Sequence, residues 1–114
     1  MRYMTISKEL LKGSTWLLVL AVLSDSERYG YDIIKEIKKR STDALELGEG
    51  TVYPILHALE KKKFVTSHWV KQEGAPDRKY YELTTAGKKA LQVHAIEWNI
   101  FTTAVNGVLK KGSL

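Results

Sequence analysis

The sequence contains no cysteine, only two prolines and no apolar segment long enough to cross a membrane. Without cysteine the chain forms no disulfide, no thiolate metal site and no cysteine nucleophile, a composition that fits a reducing cytoplasm. The one long, wholly apolar run, at residues 16–23, is much shorter than the roughly twenty residues that cross a bilayer. The N-terminus carries Arg2 and Lys8 among mixed polar residues and has no clean signal-peptide pattern. These absences favour a soluble cytoplasmic protein without a membrane partner.

Arrangements that carry catalysis or hold cofactors are also missing. No serine lies in a nucleophile elbow, no glycine-rich phosphate loop is present and no pair of carboxylates stands out. The three histidines, His57, His68 and His94, fall on three different predicted elements, with no ligand spacing and no acidic cluster near them. We therefore expect no enzymatic activity, no metal site and no cofactor.

Positive charge is in excess, since 18 Lys and Arg outweigh 13 Asp and Glu and give a net charge of +5 and a pI near 9.4. Such an excess favours polyanionic partners through counterion release. The basic residues cluster at 35–40, 61–63, 78–79 and 88–89. Three of these clusters lie in or beside the helices and hairpin that are predicted below to form one unit, which favours binding to nucleic acid.

The spacing of apolar residues predicts a series of helices interrupted by one β-hairpin. Helices are expected at residues 7–24, from 29 or 30 to 40, from about 51 to 63 and from 85 to about 110, and strands at 64–71 and 78–83. Residues 44–47 could add a short strand that pairs with the hairpin. The predicted fold class is mainly α with a small β-hairpin. A winged helix-turn-helix at residues 1–84 is followed by a C-terminal dimerisation helix at 85–114.

The third predicted helix has the clearest periodicity. Its buried face follows the i, i+3, i+4, i+7 spacing and consists of Val52, Ile55, Leu56 and Leu59. Because proline is tolerated in the first helical turn, Pro54 predicts a helix start at about Thr51. The opposite face is small or polar, as suits a surface that approaches DNA, and contains Thr51, Tyr53, Pro54, His57, Ala58 and Lys61.

The last predicted helix carries a row of large side chains at alternating spacings of three and four: Leu91, His94, Trp98, Phe101, Val105 and Val108. A heptad-like row on a helix of roughly 25 residues is typical of a dimerisation surface. Trp98 lies in its middle, flanked by the small residues Ala95 and Thr102. Its ring could stack on a flat ligand together with the ring of its symmetry mate, or it could be a buried core tryptophan.

Three motifs, in order, resemble those of the PadR family of bacterial transcriptional regulators. They are Tyr29-Gly30-Tyr31, Gly50-Thr51-Val52-Tyr53-Pro54 and Asp77-Arg78-Lys79-Tyr80-Tyr81-Glu82-Leu83-Thr84. The apolar first helix and the helix after Thr84 match as well, so the resemblance spans nearly the whole chain. It implies a winged-helix regulator, most often a repressor, that binds a palindromic double-stranded DNA operator as a homodimer.

The single C-terminal helix resembles that of the compact PadR subfamily. Its members dimerise through this helix, and some bind flat aromatic or hydrophobic compounds between the subunits. The resemblance implies a small hydrophobic effector at Leu17, Ala21, Trp98 and Thr102. Because the side chains one turn from Trp98 are not acidic, neutral guests are expected rather than cationic ones. The alternative is a regulator controlled by its own abundance, with a purely structural Trp98.

The predicted DNA contacts lie on the second and third helices and on the hairpin. Of Tyr29 and Tyr31, one is expected to fill the core and the other to reach a phosphate. Thr51 and Tyr53 could donate to phosphates at the positive end of the third helix, whereas Asp77 departs from the family turn and would repel phosphate. The predicted set is Tyr31, Gly50, Thr51, Tyr53, Pro54, His57, Lys61, Arg78 and Lys79. The alternative function is a winged-helix protein-interaction module that does not bind DNA.

Overall fold

A computed structural model describes residues 6–111 of the chain. The elements follow in the order α1 (Lys8–Leu11), α2 (Thr15–Val22), β1 (Arg28–Tyr29), α3 (Gly30–Arg40), α4 (Glu49–Lys61), β2 (Val65–Val70), β3 (Arg78–Leu83) and α5 (Thr85–Lys111). A mainly helical chain with a small antiparallel sheet confirms the predicted winged-helix fold class. Within the described residues, each helix is too short or too polar to span a bilayer.

The hydrophobic core lies around α2, which contacts α3, α4 and α5. Contact on several sides explains why α2 is apolar all round. Val19 and Leu20 are fully buried there, as are Ile33 of α3 and Leu56 of α4. Burying an aliphatic side chain of this size contributes about 1.5–3 kcal/mol, so this cluster anchors α3 and α4 on α2.

The first helical region is divided into two helices. The backbone N–H and the side-chain hydroxyl of Ser14 both donate to the carbonyl of Leu11, at 3.0 and 3.2 Å. This three-residue spacing is tighter than that of an α-helix, and the neighbouring Gly13 has low helix propensity. The prediction of one helix over residues 7–24 was therefore wrong.

The third strand of the sheet precedes α3. The strand order is β1–β3–β2, and β1 pairs Arg28 with Tyr81 and Tyr29 with Tyr80. Residues 44–47, which were predicted to provide such a strand, form an irregular loop instead. The prediction for residues 44–47 was wrong. The strand β1 was missed because its two residues are too few to show an alternating pattern.

Arg28 holds this short strand against the helices on either side. Its Nε donates to the carbonyl of Val22 at 2.8 Å. Its guanidinium lies 3.1 Å from the carboxylate of Asp32, 3.2 Å from that of Asp25 and 3.7 Å from that of Glu36. The Arg28 side chain is only 14% exposed, and a charge so nearly buried is tolerated only when it is paired. Side-chain contacts therefore position β1.

The hairpin forms as predicted. Its strands run in antiparallel register from the Val65–Leu83 pair to the Val70–Arg78 pair. Gly74, with a φ of 69°, lies in the connecting turn, a left-handed conformation that favours glycine. The predicted strands at 64–71 and 78–83 are thus confirmed to within one residue.

Helix α4 begins at Glu49, before the predicted start at Thr51, so Pro54 lies in its second turn. Proline lacks the N–H that would bond to the carbonyl of Gly50. Gly50 is exposed, and water can solvate that carbonyl. The expectation that Pro54 must stand in the first turn was wrong for this reason. The helix also ends at Lys61, before the predicted end at residue 63.

A compact junction joins α4, the hairpin and α5. Lys63 has a φ of 64°, and the N–H of Phe64 donates to the carbonyl of Leu59 at 3.0 Å, a closure typical of helix C-termini. The hydroxyl of Thr84 donates to the carbonyl of Lys63 at 2.6 Å and accepts from the N–H of Gly87 at 3.0 Å. Through the second contact Thr84 caps the N-terminus of α5.

Candidate nucleic-acid interface

Helix α4 separates a buried apolar side from an exposed polar side. Val52, Leu56 and Leu59 are buried in the core. The other side brings together residues that share exposure to solvent: Gly50, Thr51, Tyr53, Pro54, His57, Ala58 and Lys61. This surface, called the α4 outer face below, carries two hydroxyls, an imidazole and an ammonium group, all able to donate hydrogen bonds to a nucleic acid.

Tyr53 also contacts the start of α3. Three atoms of its phenol lie 2.6 Å from the position that a Cβ on Gly30 would occupy. Burial raises the pKa of Tyr53, and the carboxylate of Glu49 acts in the same direction. The phenol therefore stays protonated and can donate to an anion near the positive end of α4.

Tyr29 and Tyr31, for which the sequence left two roles open, lie in different environments. Tyr29 is half-buried, with its ring centre 5.5 Å from that of Tyr80. Tyr31 is 53% exposed and has the Nζ of Lys35 5.6 Å from its ring centre. Of the two, Tyr31 is thus the side chain available to a partner.

Arg78 and Lys79 point to opposite sides of the hairpin, as the alternation of a strand requires. Arg78 is exposed and lies over the ring of Tyr29, 4.3 Å from its centre. The Nζ of Lys79 lies 5.8 Å from the ring centre of Trp69 and 3.7 Å from the carboxylate of Glu60. Lys79 is therefore beside α4, whereas Arg78 is on the outer side of the sheet.

Glu60 links α4 to the hairpin, a role that the sequence analysis missed. Its carboxylate accepts a hydrogen bond from the hydroxyl of Ser67 on β2 and pairs with Lys79 on β3. The only signal in the sequence is that Glu60 is an isolated acidic residue before three lysines. The link sets the position of the hairpin relative to the α4 outer face.

The predicted row on α5 is partly packed and partly exposed. Leu91 packs against the core, and the ring of His94 meets that of Trp16 edge-on at 4.6 Å. The later members of the row are all exposed in the single chain: Trp98, Phe101, Val105 and Val108. This half of the row has no cover within the described part of the chain.

A second apolar row on α5 was not predicted. Val93, Ile96 and Ile100 are exposed by 54%, 63% and 67%. At about 100° per residue, they project from the side of the helix opposite Trp98. Their spacings of three and four were present in the sequence, but they were overlooked beside the more aromatic first row.

A cavity of about 610 Å³ lies between α1, α2 and α5. Leu17, Ala21 and Trp98 all line it, and none of its lining residues is ionisable. The predicted effector residue Thr102 is not among the lining residues; its hydroxyl donates to the carbonyl of Trp98 at 3.0 Å. A second cavity, of about 520 Å³, lies on the other side of Trp98 and includes two carboxylates, one of them that of Glu97. The expectation of uncharged surroundings therefore holds for the first cavity only.

The expectation that no acidic residues cluster near the histidines was wrong for His68. The sheet brings His68 together with Glu27 and Glu82, and one potential metal-ligating atom from each lies within 4.8 Å of the others. The contact was hidden in the sequence because the three residues belong to three separate segments.

Comparison with known protein families shows which class of protein this chain belongs to. The model of the transcriptional regulator PadR-like family matches residues 19–93, a range that includes the α4 outer face and the hairpin. The chain belongs to the PadR-like family of transcriptional regulators. As a PadR-like protein it is a regulator and not an enzyme.

Solved structures of PadR-like proteins have the same fold. A transcriptional regulator from Clostridium thermocellum is 26% identical, with a TM-score of 0.82 and coverage of 90% of this chain and 97% of that one. A PadR family transcription regulator from Clostridium difficile is 33% identical, with a TM-score of 0.74 and coverage of 85% and 99%.

The transcriptional regulator YqjI of Escherichia coli is 29% identical over 104 residues, which are 87% of this PadR-like chain but only 48% of YqjI. The chain thus spans about half the length of that relative.

Proposed function

We propose that this PadR-like regulator binds double-stranded DNA, with the α4 outer face in the major groove and the hairpin on the phosphate backbone. The observation that carries the proposal is the exposure of polar side chains along α4 next to the basic strand of the hairpin. The major groove admits an α-helix and presents a distinct pattern of donors and acceptors for each base pair. A winged helix uses its hairpin to contact the backbone beside that groove.

The residues divide by the kind of contact that their chemistry allows. Thr51 and Tyr53 donate to phosphates, and His57, one turn further along α4, reaches a base edge. Arg78 and Lys79 bind the backbone beside the groove. The remaining members of the proposed contact set are Tyr31, Gly50, Pro54 and Lys61. Asp77, exposed in the turn, limits how closely the tip of the hairpin approaches phosphate.

The proposed active form is a homodimer. Two copies cover the exposed half of the α5 row, from Trp98 to Val108, and place two α4 helices on a palindromic operator with half-sites roughly 34–36 Å apart. In this proposal residues 1–84 form the DNA-binding domain and residues 85–114 the dimerisation helix, whose first turns stay packed on the core. Such a regulator works in the cytoplasm, where it meets the genome.

We further propose that the dimer is a repressor relieved by a small neutral hydrophobic effector. The support is the uncharged cavity lined by Leu17, Ala21 and Trp98, which adjoins the exposed row of α5. A ligand bound at this seam favours one dimer geometry over another. The spacing of the two α4 helices then no longer matches the operator, and the protein leaves the promoter.

DNA binding is tested by fluorescence anisotropy with a labelled duplex from the promoter of its own gene. The Lys61→Gln/Arg78→Gln variant should bind all duplexes more weakly, whereas His57→Ala should change the preference among sequences. Lys88→Gln/Lys89→Gln removes the same charge from α5 and should bind normally. If the intact dimer binds no duplex, the winged-helix protein-interaction module becomes the better account.

The dimer surface is tested by light scattering. Val105→Asp places a charge in the proposed row and should yield monomers, because an unpaired charge at an apolar interface is costly. Ile100→Asp, on the opposite side of α5, should leave the dimer intact. A monomeric Ile100→Asp protein together with a dimeric Val105→Asp protein would move the interface to the second row.

A further inference from the structure

We propose that Glu27, His68 and Glu82 form a binding site for a divalent transition-metal ion, of which Zn²⁺ is the representative. The site lies on the outer face of the sheet and is separate from the α4 outer face and from the cavities around Trp98. It shares this face with Arg78, one of the proposed DNA contacts, but it does not need DNA to form.

Strand pairing creates the site. β1 pairs Arg28 with Tyr81, so Glu27, one residue earlier, comes beside Glu82, one residue later on the antiparallel strand. β2 pairs along the other edge of β3, where His68 lies opposite Tyr80. His68 thereby completes the group on the same face of the sheet. The Nε2 of His68 lies 3.5 Å from the carboxylate of Glu27, and the potential ligating atoms of all three residues lie within 4.8 Å of one another.

The local charge favours a cation. Glu27, just before β1, and Glu82 on β3 are neighbouring carboxylates, and like charges opposite each other destabilise a sheet. Within the described ranges, the only ion-pair contact that either of them makes is the one between Glu27 and His68. A bound cation would offset the repulsion between the two carboxylates.

The ligand set selects the class of metal. One imidazole and two carboxylates match the nitrogen and oxygen ligands of Zn²⁺, with a water completing the coordination. Imidazole disfavours Mg²⁺ and Ca²⁺, which take oxygen ligands. Metal–ligand bonds of about 2.0–2.2 Å require the three groups to draw closer than they stand without an ion. The side chains of His68 and Glu27 are 46% and 43% exposed, so they are free to rotate inward.

The site would tie together three segments that are distant in the chain. β1 has only two residues, and a metal joining Glu27 to both hairpin strands would fasten it to the sheet. The stacking of His68 on Tyr80, with ring centres 6.2 Å apart and planes at 22°, already orients the imidazole. Since metal binds the folded sheet and not the separated segments, binding should raise the thermal midpoint of unfolding.

The test is isothermal titration of ZnCl₂ into the full, tag-free chain after treatment with a chelator. Wild type should bind one ion per chain, and His68→Gln and Glu82→Gln should each weaken binding by more than about tenfold. His57→Gln and His94→Gln, which alter the other two histidines, are the matched controls and should bind like wild type. All four positions are exposed or half-exposed, so the variants are expected to fold, which circular dichroism confirms.

A second measurement identifies the ligands directly. Co²⁺ in place of Zn²⁺ gives a visible absorption spectrum that depends on the coordinating atoms, and the His68→Gln protein should lose it. The proposal is overturned if wild type binds neither ion, if His68→Gln binds as well as wild type, or if a control histidine variant abolishes binding.

Discussion

Tyr53 of α4 lies directly against Gly30, the first residue of α3. Three phenol atoms are 2.6 Å from the position of a Cβ at residue 30, and Gly30 is buried. A Cβ at residue 30 therefore fits only if the Tyr53 ring moves. Tyr53 therefore has a packing role as well as a place on the α4 outer face, where the residue is 43% exposed.

Gly30→Ala should displace the Tyr53 ring. We expect a cost of about 1–3 kcal/mol in the free energy of unfolding, typical of overpacking, and weaker binding to promoter DNA because the hydroxyl moves. In a Tyr53→Ala background the same glycine change should cost much less. Urea denaturation of wild type, the two single variants and the double variant measures these costs. Equal costs of Gly30→Ala in both backgrounds would contradict the contact between Gly30 and Tyr53.

Gly87 is the second glycine whose environment excludes a side chain. A Cβ there would lie 1.9 Å from the carbonyl oxygen of Phe64, which is backbone and cannot rotate away. Gly87→Ala should therefore lower the free energy of unfolding by about 1–3 kcal/mol. Gly107→Ala, on the same helix but with open space around it, should stabilise α5 by up to about 1 kcal/mol. In thermal denaturation we expect Gly87→Ala to lower the midpoint of unfolding and Gly107→Ala to raise it. An unchanged midpoint for Gly87→Ala would show that the junction can adapt.

The sequence predicted the elements whose signals are long and periodic. α4, the hairpin and α5 were found because burial repeats along each of them, as at Val52, Leu56 and Leu59. Two-residue β1 was not found, since Arg28 holds it through side-chain contacts that no local pattern reveals. The α4 outer face was likewise predictable from helical spacing. The contacts of Glu60 and His68 were not, because they depend on strand register.

Glu36, whose carboxylate pairs with Arg28 and Arg40, should make the stability of the fold depend on pH. A hydrogen bond from Arg40 holds the pKa of Glu36 below its ordinary value of 4.5, although desolvation acts in the opposite direction. A carboxyl whose folded pKa is depressed stabilises the fold above its unfolded pKa, and this contribution is lost as the pH falls through the folded value. We expect the free energy of unfolding to decrease between about pH 5 and pH 3. In urea titrations, the free energy of unfolding of the Glu36→Gln protein should decrease less steeply over this pH range. An unchanged profile would mean that Glu36 contributes nothing to the pH dependence.

Trp98 should bind planar hydrophobic compounds in the dimer. Stacking on an indole contributes about 0.5–1.5 kcal/mol beyond area burial, so Trp98→Ala should weaken the binding of a planar bis-benzimidazole dye while light scattering still shows a dimer. Trp69→Ala, on the exposed end of the hairpin, is the matched control and should bind like wild type. Dye emission is the readout, because Trp16 and Trp69 complicate the protein's own fluorescence. If wild type and Trp98→Ala bind every compound of a planar panel equally, Trp98 is a structural residue.

Salt-dependent binding to promoter DNA tests the central claim most directly. For a regulator that neutralises phosphates with lysine and arginine, the logarithm of the affinity should fall linearly as the logarithm of the salt concentration rises. Arg78→Gln and Lys79→Gln should each weaken binding to all sequences and reduce that slope by about one. Glu60→Gln, which frees Lys79, should strengthen binding. An affinity for promoter DNA that stays the same from low to high salt, or slopes unchanged in both hairpin variants, would contradict the account.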